Sequence, residues 1–230
     1  MPLVYPNIPM SEVVEEYPSL IPVINRFGIH LGLGDKTVHT ICEEHGLDTD
    51  FVLTVINTFL NEEYFPEKKL QTFHTSQIID YLTKTNQYYQ RYQLPNIERH
   101  LGSFISLSKS ENHTLNLIGK FFASFKEELT ARIAHDEKIW FPYCLQLSEH
   151  PASDAELSLN CKEKEDDSIE ALLFDLKSIM VKHLSGDYDD NLCYAVIFGI
   201  SSLEKDIKQH NRIRYRILTP MVAAMEKLRQ

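Results

Sequence analysis

The sequence predicts an all-α protein built as a small three-helix N-terminal domain followed by an up-down four-helix bundle. Three observations predict it. Glycine is scarce, at 8 of 230 residues, while Leu, Ile, Glu and Lys are plentiful, a balance that favours helix over strand and turn. Apolar residues recur at helical spacing along most of the chain. The periodic stretches are short before about residue 66 and long after about residue 74, with a charged, proline-bearing segment, Asn61–His74, between them. The expected domains are therefore 1–66 and 74–230.

In the N-terminal part, Ser11 is the expected cap of a helix whose apolar positions are Val13, Val14, Tyr17, Leu20, Ile21, Ile24 and Phe27, with Gly28 as its stop. His30–Asp35 reads as a tight glycine-bearing loop. A second helix is expected from about Thr37 to Glu44, stopped at Gly46, and a third from Phe51 to Leu60 behind an Asp48 cap. A module of this size is near the lower limit for independent stability, so it is expected to pack on something else.

The bundle helices follow. Thr75 or Ser76 starts one through Tyr92, which Leu94-Pro95 breaks or kinks, because the proline ring clashes with the preceding turn. Another runs from Asn96 to about Lys109. A long helix from Thr114 to about Leu147 places Leu117, Phe121, Phe125, Leu129, Ile133 and Ile139 near one stripe, with Phe141-Pro142 near its end. Ser148–Asp167 is a polar, acidic connection. Ile169–Leu184 and about Asn191–Leu228 complete the set, and short links make the arrangement antiparallel. No internal repeat stands out. Tyr81, Tyr88, Tyr89 and Tyr92 form a face that suits bundle core, or a homodimer or domain-packing surface.

Charge and cysteine usage exclude several function classes. The net charge is −10, which gives no electrostatic support to nucleic-acid binding. The local basic strip Arg212, Arg214 and Arg216 reads as a salt-bridged helix segment. No signal peptide or membrane span is expected. Cys42, Cys144, Cys161 and Cys193 are scattered, with no Cys-x-x-Cys, so the expectation is reduced thiols in a cytoplasmic protein. Gly32-Leu33-Gly34-Asp35-Lys36 lacks the further glycines and preceding strand of a phosphate loop, and no nucleophile elbow occurs. His39/Glu43 and His183/Asp187 have ligand-like spacing but no evident partner pair. His100, His113 and His135 are further histidines that a change of register could turn inward with His210. Enzymatic activity is left open, with the balance against it.

Two segments resemble one known architecture. Glu16-Tyr17-Pro18, Phe27-Gly28-Ile29, Leu31–Lys36 and Gly46-Leu47-Asp48 are similar to the small N-terminal domain of the haemerythrin-like iron–sulfur cluster repair family. Glu127–Tyr143 (EELTARIAHDEKIWFPY) resembles the helix of that family's di-iron bundle that carries a His, a Glu four residues on, and then Phe-Pro. The Leu94-Pro95 and Leu218-Thr219-Pro220 segments fit as well. The resemblance implies a haemerythrin-like bundle and covers nearly the whole chain.

The departures fall on the chemical centres. The family's paired loop cysteines fall on Gly32 and Leu33. Its His-x-x-x-Glu falls on Arg132 and Asp136, and its closing His-x-x-x-Glu on His210 and Arg214. Its remaining histidines fall near Asn86-Gln87, Lys109 and Asp166. Only His210, Asp136 and Asp166 remain as metal-ligand candidates, because a guanidinium has no lone pair to offer. The resemblance and its departures together imply no confident metal site and no catalytic residue. They imply instead a former-site network of Lys109, Arg132, Asp136, Asp166, His210 and Arg214, in which Arg132, Arg214 and Lys109 take the place of the metal's charge and Asp136 and Asp166 neutralise them. An ordinary surface pair at Arg132 and Asp136 is the competing reading. The expected function is metal-free and regulatory, or a matter of binding an unknown protein partner, with a link to stress response suggested by the family. The alternative is a di-iron protein with a rearranged ligand set that repairs iron–sulfur clusters after oxidative or nitrosative damage.

Overall fold

The computed structural model describes residues 2–108, 113–149, 168–185 and 187–227. Among them the fold is all-α: no strand forms, and the one β-bridge is an isolated pair, Pro9 with Thr37. No helix is long and apolar enough to cross a membrane. The chain divides into two compact units, one of residues 1–85 with 209–230 and one of residues 86–208. The charged segment 61–74 lies within the first.

In the first unit, α1 (Met10–Glu16) starts two residues earlier than a Ser11 cap would set it, with Pro9 at the cap position and no side-chain cap bond. Pro18 and Pro22 then divide the expected single helix into a 3-10 turn (Pro18–Leu20) and α2 (Ile21–Asn25), since neither proline can donate to a preceding carbonyl. The Gly28 stop forms as expected: φ is +78°, and Gly28 and Ile29 N–H donate back to Asn25 and Ile24, a Schellman closure. Gly46 ends α3 (Val38–Glu44) in the same way, with φ +63°. Thr37 caps α3, and Asp48 caps α4 (Thr49–Leu60) by accepting from Asp50 and Phe51 N–H at 2.9 and 3.2 Å.

The expected need for a packing partner is met within this unit by the start of α6 (Thr75–Tyr88). The Tyr81 ring stacks on Phe27 at 5.3 Å, and its hydroxyl accepts from Arg26 at 3.2 Å. The segment before α6 is held as well, and carries a short helix, α5 (Glu67–Leu70). Phe65 lies under the Arg212 and Arg216 guanidiniums at 4.3 and 4.7 Å, and Arg216 Nε donates to Glu67 at 2.7 Å. The basic strip is thus one salt-bridged arginine, one stacked arginine, and one, Arg214, that is buried.

The second unit has a continuous apolar core running from Tyr89 through Leu101, Phe104, Phe125, Leu129, Leu173 and Ile200 to Ile207. It is built from α7 (Leu94–Leu107), α8 (His113–His135), α10 (Ile169–His183) and most of α11 (Asp190–Ile213). Helices approach closely where side chains are small: a Cβ on Gly119 would stand 3.0 Å from Ile105, and one on Gly199 would stand 3.0 Å from Ile97. Trp140 is buried and stacks on Tyr143 at 5.9 Å. Leu117 and Ile139, expected on the core stripe of α8, are 45% and 44% exposed. The buried series is Leu115, Ile118, Phe122, Phe125, Leu129, Ile133, Asp136 and Trp140, in steps of three or four.

The three X-Pro steps neither break the helices nor leave them regular. Each is preceded by a five-residue π-helical segment: π1 (Tyr89–Gln93) before α7, π2 (Asp136–Trp140) before α9 (Phe141–Glu149), and π3 (Arg214–Leu218) before α12 (Thr219–Lys227). The amide just ahead of each proline donates five residues back: Leu94 to Tyr89, Phe141 to Asp136, Thr219 to Arg214. Widening the turn relieves the clash between the proline ring and the carbonyl four residues earlier. This is a thrice-repeated local pattern that the sequence reading did not anticipate.

Candidate functional site

Each π segment opens on a buried residue six positions before its proline: Tyr89, Asp136 and Arg214, at 0%, 0% and 2% exposure. One turn earlier stand Thr85 with Asn86, Arg132, and His210 with Asn211. The described site residues thus occupy equivalent places in their helices: Asp136 and Arg214 open π turns, and Arg132 and His210 stand one turn earlier; π turns are a helical irregularity frequent at functional sites.

In the second unit, Arg132 and Asp136 are one turn apart. Arg132 is half-buried, and its Nε and Nη2 are cut off from solvent; Asp136 is completely enclosed. The surface-pair reading of these two residues is therefore incorrect. Asn86, also enclosed, has an amide with no hydrogen-bond partner for either polar atom among the described residues. In the first unit, His210 and Arg214 are one turn apart and both are 2% exposed. Lys109 and Asp166 lie outside the described residues, so of the expected set only Arg132, Asp136, His210 and Arg214 are placed, two in each unit.

The inward placement has a cause visible in the sequence. On α11 the buried positions Val196, Ile200, Leu203 and Ile207 continue without change of step through His210, Arg214 and Ile217. Asp136 likewise falls between Ile133 and Trp140. Polar residues at apolar-stripe positions are the signal that marks them, and the same test finds Asn86, between Leu82 and Tyr89.

Among the described residues, neither expected pair taken within its own unit supplies the donors of a two-iron site. Asp136 supplies a carboxylate and His210 an imidazole, but Arg132 and Arg214 are permanently cationic and have no lone pair to donate. Among the described residues, no group of three or more His, Cys, Asp or Glu side chains is placed to hold a metal ion. The His39–Glu43 pair meets at 3.3 Å on an exposed face. His100 and His135 are half-buried and His183 is exposed. Burial raises the Cys42 and Cys193 thiols above their ordinary value, which keeps them protonated and poor ligands. At the N-terminal loop, Gly32 adopts φ +96°, a conformation that a cysteine in its place would hold only with strain.

The chain matches no protein-family model and no curated protein.

Proposed function

We propose that this chain is a metal-free protein of haemerythrin-like, up-down four-helix architecture, acting through a protein partner in a regulatory role within a stress response. The observation that carries the reading is the presence of Arg132 and Arg214 at the inward positions where the resemblance calls for a histidine and a glutamate. A cation there repels a metal as well as failing to bind it. The loop at Gly32 and Leu33, without thiols, supports the same reading from a second place in the chain. The charged and polar residues at the π turns then serve as a fixed interior network, whose value lies in specifying one packing of the helices more than in net stability.

The test is metal analysis of the full chain made in iron-rich medium and purified without oxygen. The proposal expects no stoichiometric iron and full helicity. Two irons per chain with an oxo-bridge absorption would overturn it in favour of di-iron cluster repair.

A further inference from the structure

The outer face of the first kinked helix carries a feature that the interior network does not use. At π1 and the start of α7, Tyr88, Arg91, Tyr92, Gln93, Asn96 and Arg99 line a concavity of about 550 Å³. It contains two guanidiniums and no carboxylate. Arg91 has no ion-pair partner among the described residues, and Arg99 donates only to the Asn96 amide oxygen, at 2.8 Å. The neighbouring acid, Glu98, is occupied: both of its oxygens accept from Lys126 at 2.7 Å. In a chain of net charge −10, this is a locally positive surface with unspent donors.

The concavity is also pre-shaped. The Tyr88 hydroxyl donates to Gln93 Oε1 at 2.8 Å, and Gln93 Nε2 donates to the Gly199 carbonyl at 3.2 Å. These bonds fix one wall against α11. The Tyr88 and Tyr92 rings lie 6.2 Å apart and tilted by 34°, with Tyr92 65% exposed, leaving an aromatic face open to solvent. Eight α-helical steps would set Arg91 and Arg99 about 80° apart around the axis and about 12 Å apart along it. The wider π turn takes up part of that angle and brings the two arginines towards one face.

Two planar forks suit phosphate or carboxylate oxygens, and an exposed tyrosine ring suits the face of a base. The axial spacing favours an elongated ligand over a single small anion. The overall negative charge disfavours a polyanion such as RNA or DNA, whose many phosphates would meet repulsion beyond this patch. We propose that this concavity is a binding site for a free nucleoside diphosphate, with the phosphates on Arg91 and Arg99 and the base on Tyr92. The site is independent of the metal-free reading.

Isothermal titration of the full chain with ADP tests it, with pyrophosphate and adenosine titrated separately. The expected result is one ADP per chain at a sub-millimolar Kd, tighter than either fragment by at least about tenfold, because both halves contribute. Arg91→Gln with Arg99→Gln weakens ADP by at least about tenfold, and Tyr92→Ala weakens ADP while leaving pyrophosphate unchanged. Helicity measured on each variant confirms that these exposed changes leave the fold intact. Absence of ADP binding, ADP no tighter than pyrophosphate, or binding indifferent to these substitutions in folded variants would overturn the proposal.

Discussion

Along α8 the buried face is apolar from Leu115 to Ile133 and then turns polar at Asp136; along α11 it is apolar from Val196 to Ile207 and then turns polar at His210 and Arg214. The helical face is continuous in both cases, and only the chemistry changes. The apolar halves stabilise by removing area from water and by close packing. The polar ends do the opposite when taken singly, because each buried charge must be desolvated and then compensated. These ends are therefore not leftover surface. They are interior, they fall at or one turn before the π turns, and their composition requires an explanation beyond stability.

Five variants test that contrast, and each is read by chemical unfolding of the full chain. The largest effect is expected at the polar end: with Asp136 neutralising the Arg132 guanidinium one turn away, as the proposed network has it, Asp136→Ala costs about 3–5 kcal/mol. Joint replacement by Arg132→Met and Asp136→Leu should recover most of that loss, since removing a buried pair together is far cheaper than removing one partner. A double variant as unstable as the single one would mean that Asp136 is held by something other than charge. In the apolar half, Leu129→Ala opens a cavity and costs about 2–5 kcal/mol, and here no second substitution at a charged residue should rescue it.

Glu204 is intermediate, a nearly buried carboxylate on the apolar half of α11. It contacts Lys177 and lies 3.3 Å from Lys208. Burial alone would push it up, but the two ammonium groups together outweigh burial and hold it below its ordinary 4.5. A carboxylate lowered in the folded state adds stability above the ordinary value and loses it as pH falls through the folded one. Glu204→Gln should therefore cost about 1–2 kcal/mol near neutral pH, discounted because both lysines are part-exposed, and the cost should shrink as the pH drops below 4.5. A cost that is constant across that range would assign the effect to packing. The smallest change is expected from Glu67→Gln, which loosens an exposed bridge to Arg216 and costs less than about 1 kcal/mol.

Much of the first unit was legible because its punctuation is local. Gly28, Gly46, Thr37 and Asp48 each act through bonds within a few residues, and each does what its residue type predicts. Ser11 misled because Pro9 already sets the helix start. In the long helices, the proline positions were legible and their consequence was not. A kink is the ordinary expectation, whereas a π turn shifts the phase of everything after it. Ile139 is exposed because it stands six residues after Ile133, on the opposite side of the helix from the stripe that Asp136 and Trp140 continue. The candidate site was legible in its residue types, since arginine cannot serve as a ligand whatever its surroundings. Its burial required one further step, namely following the apolar stripe into polar residues rather than stopping where hydrophobicity ends.

The most direct measurement of the central claim is the thermal midpoint of the full, metal-free chain titrated with Fe(II) without oxygen. A ligand that binds only the folded state raises that midpoint in proportion to its occupancy. With cations at positions 132 and 214, the midpoint should stay constant as iron is added. A rise that saturates at two irons per chain would contradict the account.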